Sequence, residues 1–205
     1  VGGCTTGLLI SDEVTIEGVR ATDDVDLIVN VLGYPGWNAF QNRLLEKGFS
    51  TSIEDEVICR LRLGELKVDF MPDDEKILGF SNRWYQPALA NTQNYQLTDD
   101  IVIRLLSPPY FIATKLEAYK GRGNNDLLAS RDIEDILNIV DGRPELIGDI
   151  EAADPEVRNY IAEEIAALLR DEQIDYVVQG MVVGGADRQR IVFNRLDAIK
   201  ALKGL

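Results

Sequence analysis

The stretch Thr22-Asp23-Asp24-Val25-Asp26-Leu27-Ile28-Val29 decides the fold. Val25, Leu27 and Val29 alternate with Asp24, Asp26 and Ile28, the period of a half-buried strand. Side chains two apart point the same way, so Asp24 and Asp26 project side by side at the strand's opening. Two carboxylates this close repel each other in a half-buried site, and a bound divalent cation removes that penalty. Hard oxygen donors suit Mg2+ (or Mn2+), which takes one or two carboxylates together with substrate phosphates. Taken alone, the pair reads more readily as the polar face of an exposed strand.

The flanking residues change that weighting. Residues 57–63 and 65–71 read as two strands joined tightly at Gly64. In the second, Leu66, Val68 and Phe70 share one face, while Lys67 and Asp69 share the other. Asp69 therefore adds a third strand carboxylate, the set that two-metal phosphoryl chemistry uses. The alternative is that Asp69 pairs with a nearby Lys or Arg. On the other side, Gly2-Gly3 precedes Cys4-Thr5-Thr6-Gly7 and a helix expected over residues 3–10. Paired glycines permit close backbone approach at a helix N-terminus, where free N–H groups bind phosphate; a plain turn is the simpler reading of the pair in isolation.

Composition narrows the chemistry. The chain has 205 residues, no histidine, two cysteines and a formal net charge of −14. Without histidine there is no Ser-His-Asp hydrolysis, no Cys-His proteolysis and no His-ligated zinc or haem. The negative charge disfavours a general nucleic-acid coat or a polybasic membrane surface. Cys4 and Cys59 form no metal or redox motif, which fits a reduced cytoplasmic setting. No apolar run is long enough for a membrane span. The chain opens on Val1, directly before Gly2-Gly3, so an upstream segment with a first strand is expected to precede it.

The two halves differ in texture. Residues 1–106 mix short alternating runs with turns: Gly33-Tyr34-Pro35-Gly36 reads as a turn, residues 37–47 as a helix carrying Phe40, Leu44 and Leu45, and residues 84–106 as two or three short strands. Residues 107–205 read as helices. Ser107-Pro108 and Asp154-Pro155 are start signals, the first helix running to about residue 120 and the next covering about 129–140. Val157, Ile161, Ile165 and Leu168 form an apolar stripe. The expected fold is α/β (α+β): a small mixed sheet with flanking helices over 1–106, then a helical region over 107–205 that completes a cleft.

Gly2-Gly3, then Arg20-x-Thr22-x-Asp24-x-Asp26, then Lys67-x-Asp69 resembles the nucleotidyltransferase fold of the DNA polymerase β superfamily. Within it the chain looks most like the AbiEii-type enzymes of abortive-infection and toxin–antitoxin systems. Lys115-x-x-Ala118, Arg122 and Arg131-Asp132-x-x-Asp135 resemble that family's downstream motifs, and the likeness covers about residues 1–140. It implies transfer of an NMP from an NTP to a hydroxyl acceptor. Asp24, Asp26 and Asp69 would be catalytic and hold Mg2+ or Mn2+. Gly2, Gly3, Arg20, Thr22, Lys115, Arg122 and Asp132 would bind the nucleotide. RNA, including the 3′ end of tRNA, is one implied acceptor, and a basic antitoxin-like protein an implied partner. A nucleotide-binding or interaction module without turnover, or a small-molecule nucleotidyltransferase, are the alternatives.

Two further expectations come from the residues themselves. Arg131 and Asp135, four apart on a helix, read as a structural ion pair. The locally basic stretches 115–131 and 187–203, the second with Arg188, Arg190, Arg195, Lys200 and Lys203, would form a track for a nucleic-acid strand if they share one side of the cleft.

Overall fold

The computed structural model describes residues 1–55, 57–121 and 126–205. Arg122 lies outside the described residues. The fold is α+β. After a 3-10 turn (Gly3–Thr5) come helices α1 (Thr6–Leu9) and α2 (Glu13–Gly18), then strand β1 (Asp24–Val29), helix α3 (Gly33–Glu46) and strands β2 (Arg60–Leu63) and β3 (Leu66–Pro72). Short helices α4 (Glu75–Leu78) and α5 (Tyr85–Ala90) lead to strands β4 (Thr92–Thr98) and β5 (Ile101–Leu106). The remainder is helical: α6 (Pro108–Gly121), α7 (Arg131–Gly142), α8 (Leu146–Glu151), α9 (Pro155–Leu168), α10 (Ile174–Met181) and α11 (Gly185–Ala201).

The main sheet has the order β1-β3-β2, with β1 parallel and β2 antiparallel to β3. The alternation in sequence becomes two different faces. Val25, Val29, Leu61, Val68 and Phe70 meet α3 through Trp37, Phe40 and Leu44. Phe40 and Phe49 each approach Phe70 edge-on, with ring centroids 5.4 and 5.6 Å away, the geometry aromatic quadrupoles favour. The opposite face carries the aspartates. Strands β4 and β5 form a separate antiparallel pair.

Two local readings need correction. Gly33-Tyr34-Pro35-Gly36 is the first turn of α3 rather than a free turn. Proline is tolerated there because first-turn N–H groups have no intrahelical partner. Residues 85–90 form a helix, so residues 84–106 contain two strands and not three. Helix α5 is short, and its one buried residue is Ala88, so no apolar stripe marks it in the sequence.

The helices surround a second core that includes Phe111, Ile112, Leu116, Ile133, Ile136, Ile161 and Ile165. The Ser130 hydroxyl caps α7 by accepting the Ile133 N–H. The Asp154 carboxylate, ahead of α9, instead accepts the Tyr110 hydroxyl at 2.8 Å. The N-terminal segment is strapped to α7: the Ser11 and Asp12 N–H groups both donate to the Gly142 carbonyl at 3.0 Å. A side chain at Gly142 would meet Ile10 and Thr15 at under 3 Å, so that crossing requires glycine. Among the described residues, no helix is long and apolar enough to cross a membrane.

Candidate active site

The ladder register builds the site. Asp24 is paired with Lys67 and Asp26 with Asp69 across the parallel β1–β3 ladder. In a parallel pair, residues opposite one another share a face. Asp24, Asp26 and Asp69 therefore stand together on the face away from α3. They line a cavity of about 360 Å3 whose walls also include Gly3, Arg20, Thr22, Lys115, Arg131 and Asp132. A larger cavity of about 600 Å3 lies beyond the ends of β1 and β3. It is lined by Asp73, Asp74, Glu75 and Glu117 with Arg83, and holds none of the three aspartates. Its acidic wall is the wrong sign for a polyphosphate.

Asp26 is the least compensated of the three. Among the described residues its carboxylate accepts no hydrogen bond, and burial pushes its pKa up to about 6, helped by the charges of Asp24 and Asp69. Gly2 and Gly3 make the packing around it feasible. Gly2 has φ 88°, and a Cβ there would lie 1.7 Å from Asp26 Oδ2. A Cβ on Gly3 would lie 2.8 Å from Thr22 Cγ2 and 2.9 Å from Arg20 Nη2. The glycine pair thus lets the first turn approach the β1 carboxylate and the Arg20 guanidinium. The Thr22 hydroxyl donates to the Asp24 carbonyl at 3.3 Å, fixing the entry to β1.

Helices α6 and α7 supply the opposite wall. Lys115 Nζ lies 3.2 Å from Asp132 Oδ1 and 2.7 Å from Asp135 Oδ2. Arg20 reaches the same helix, pairing with Glu134 at 3.1 Å and Asp135 at 3.3 Å. Asp135 therefore takes its cations from Lys115 and Arg20, not from Arg131. The reason is burial: Asp135 is 0% exposed, whereas Arg131 is exposed at the cavity wall. Tyr110, Phe111 and Trp84 are buried core aromatics.

The residue that the sequence reading missed is Arg60. It lies opposite Asp69 in the antiparallel β2–β3 ladder. Its Nε and Nη2 donate to Asp69 Oδ1 and Oδ2 at 2.7 and 2.8 Å, and Nη2 also donates to Asp24 Oδ2 at 2.9 Å. The alternative of an arginine partner for Asp69 is thus the arrangement found. The available signal was the alternation of Arg60 and Arg62 with Leu61 and Leu63. Phe80 and Val57 also line the cavity, with no signal in the sequence to mark them. Burial, then the charge of Asp69, raises the thiol pKa of Cys59 on the same wall to about 11. Cys4 and Cys59 are both free thiols.

Among the described residues, no three His, Cys, Asp or Glu side chains are arranged to hold a metal ion. Arg60 donates to both Asp24 and Asp69 at this point. By donor chemistry the three carboxylates still suit a hard divalent cation, and among the described residues that of Asp26 accepts no hydrogen bond.

None of the basic residues of 187–203 lines this cavity, and each makes an ion pair or hydrogen bond elsewhere. Arg188 pairs with Asp12 and Asp141 and donates to the Thr15 hydroxyl at 2.8 Å. Arg195 donates to the Val140 carbonyl at 2.8 Å. Arg190, Lys200 and Lys203 pair with Asp187, Asp197 and Glu163. Asp141 is nine residues beyond Asp132 on α7, so the Arg188 cluster lies roughly 13 Å further along that helix.

No protein-family model matches this chain, and no curated protein matches it.

Proposed function

We propose that the protein is a metal-dependent nucleotidyltransferase that moves an NMP from an NTP to a hydroxyl acceptor. One observation carries this reading. The parallel β1–β3 register brings Asp24, Asp26 and Asp69 together on one sheet face, at a cavity that Lys115, Arg20 and Arg131 also line. A polyphosphate needs this combination of carboxylates beside fixed cations.

In this reading Asp24, Asp26 and Asp69 hold Mg2+ or Mn2+, which supplies charge neutralisation at the reacting phosphate. Gly2 and Gly3 let the phosphates approach the backbone of the first turn. Lys115 and Arg20, held by α7, offset the charge of the leaving pyrophosphate. The acceptor hydroxyl attacks the α-phosphorus, the bond from that phosphorus to the bridging oxygen breaks, and pyrophosphate leaves. A site carboxylate takes the hydroxyl proton, and Asp69 is the residue assigned to that role or to the second metal position. Asp132 orients Lys115. Positioning and electrostatics do most of the work.

The ion-paired state of Arg188, Arg190, Lys200 and Lys203 favours a small hydroxylated acceptor over a long RNA track; the 3′ end of tRNA remains the nucleic-acid candidate. An acidic chain of net charge −14 suits a basic protein partner of antitoxin type. A cytoplasmic location goes with this reading.

A second reading is a nucleotide-binding module without turnover, favoured by Arg60 occupying the carboxylates. Incubation with each of four labelled NTPs, Mg2+, and tRNA or small alcohols separates the two. Label transfer that disappears in Asp24→Asn and Asp26→Asn supports the enzyme. Metal-dependent nucleotide binding with no transfer to any acceptor supports the module.

A further inference from the structure

Arg60 and Arg62 sit two residues apart on β2 and each grips a carboxylate with two nitrogens. Their settings differ. Among the described residues, Arg62 pairs its side chain with Asp55, at 2.7 and 2.9 Å, and does not line the cavity. Arg60 spans two carboxylates, and all three groups line the cavity. Asp24 is 36% exposed on its side chain, so a hydrated ion can reach it without unfolding anything.

We infer that Arg60 is a displaceable internal counter-ion: it holds Asp24 and Asp69 in the metal-free protein, yields them to a divalent cation, and then binds the phosphates of the nucleotide. This rests on the reading of the three aspartates as the metal site. A guanidinium cannot be neutralised at working pH, so the cation must move rather than lose its proton. A divalent ion and Arg60 compete for the same oxygens on Asp24 and Asp69. Side-chain rotation is fast and leaves the β2–β3 ladder intact. The open volume beside the guanidinium is the cavity itself. A polyphosphate there presents the planar, paired oxygens that arginine binds as it binds a carboxylate. The exchange keeps the buried charge compensated at both stages: arginine on carboxylates first, then metal on carboxylates and arginine on phosphate.

The test is a Mn2+ titration followed by the electron paramagnetic resonance signal of the free ion, with and without inorganic triphosphate. The proteins are wild type, Arg60→Met, Arg60→Lys and the control Arg62→Met, each checked for folding by circular dichroism. Removing the competitor should tighten Mn2+ binding by Arg60→Met about tenfold, a difference of about 1.4 kcal/mol. Arg60→Lys, which keeps the charge but not the fork, should fall between. Arg62→Met should match wild type. Inorganic triphosphate should bind the Mn2+-loaded Arg60→Met protein about tenfold more weakly than loaded wild type. Equal Mn2+ affinity in wild type and both Arg60 variants would overturn the counter-ion role while leaving the metal site standing. If no variant binds Mn2+ at millimolar concentration, the metal-site reading falls and this inference with it. Tighter Mn2+ binding with unchanged triphosphate affinity would overturn the phosphate half. If Arg60→Met does not fold, Arg60→Lys decides on the same criteria.

Discussion

Gly2 lies against the carboxylate of Asp26 so closely that a Cβ at residue 2 would sit 1.7 Å from Oδ2. The contact links the first turn of the chain to the strand carboxylate with the raised pKa. Gly2→Ala must therefore displace Asp26 and also strain a backbone at φ 88°. Gly64, at φ 61° with nothing within 4 Å of its Cβ position, isolates the backbone part. Gly64→Ala should cost about 1 kcal/mol, and Gly2→Ala about 1–3 kcal/mol more. Urea unfolding of the two variants checks this. Equal losses would mean that Asp26 yields freely.

The titration of Asp26 sets a pH dependence in the metal-free protein. Its folded pKa of about 6 lies above the unfolded value of 3.8. The folded state then binds the proton more tightly, so stability falls as pH rises from about 4 through 6. Asp26→Asn removes that loss. In the presence of a chelator, the variant should match wild type near pH 4 and exceed it above pH 7 by on the order of 2 kcal/mol. Urea midpoints across that range measure it; a constant difference at all pH values would remove the raised pKa.

How much of this was legible in the sequence follows the range of each interaction. The alternation in residues 24–29 and 66–70 is local, so the faces of β1 and β3 could be read directly; that Asp69 stands beside Asp26 rests on the long-range β1–β3 register. Arg60 on Asp69 depends on which residues β2 and β3 place opposite one another, and Lys115 on Asp135 depends on how α6 and α7 pack. Neither is written in spacing. The i,i+4 rule pointed Asp135 toward Arg131, but burial against α6 turned it to Lys115 and Arg20. Helix α5 was hidden because its one buried residue, Ala88, leaves no helical period, whereas β4 and β5 fall within the strands expected over residues 84–106.

Arg188 and Arg190 separate structure from surface within one helix. Arg188 ties α11 to Asp12 ahead of α2 and to the buried Asp141 of α7. Among the described residues Arg190 pairs only with the exposed Asp187. Arg188→Glu puts a third carboxylate beside Asp141 and should destabilise the fold by at least about 2 kcal/mol. Arg190→Glu should leave stability unchanged, since exposed pairs contribute little. Thermal unfolding of both variants gives the comparison. An unaffected Arg188→Glu protein would show that the clasp does not hold the N-terminal segment to α7. The same result decides how RNA binding is probed: a loss on Arg188→Glu reports damage to the fold, so Arg131→Glu at the cavity wall is the informative variant.

Lys115 joins stability to the proposed chemistry. Lys115 is 8% exposed, and its ammonium lies between Asp132, 3% exposed, and Asp135, 0% exposed. Lys115→Met takes the ammonium away from both carboxylates, while among the described residues Asp135 keeps Arg20. Breaking one partner of a buried pair strands a charge, so the variant should lose about 3 kcal/mol. Lys115→Arg keeps the charge and should lose less. Adding Asp132→Asn to Lys115→Met removes the carboxylate 3.2 Å from the lost ammonium and should recover part of the stability, a coupling that a double-mutant cycle measures. Independent effects of the two substitutions would mean the ion pair contributes nothing to the fold. The functional readout is separate. If Lys115 also serves the nucleotide, the double variant, though partly restabilised, should still bind inorganic triphosphate weakly in the presence of Mn2+. Recovery of triphosphate binding in step with stability would confine Lys115 to holding α6 against α7.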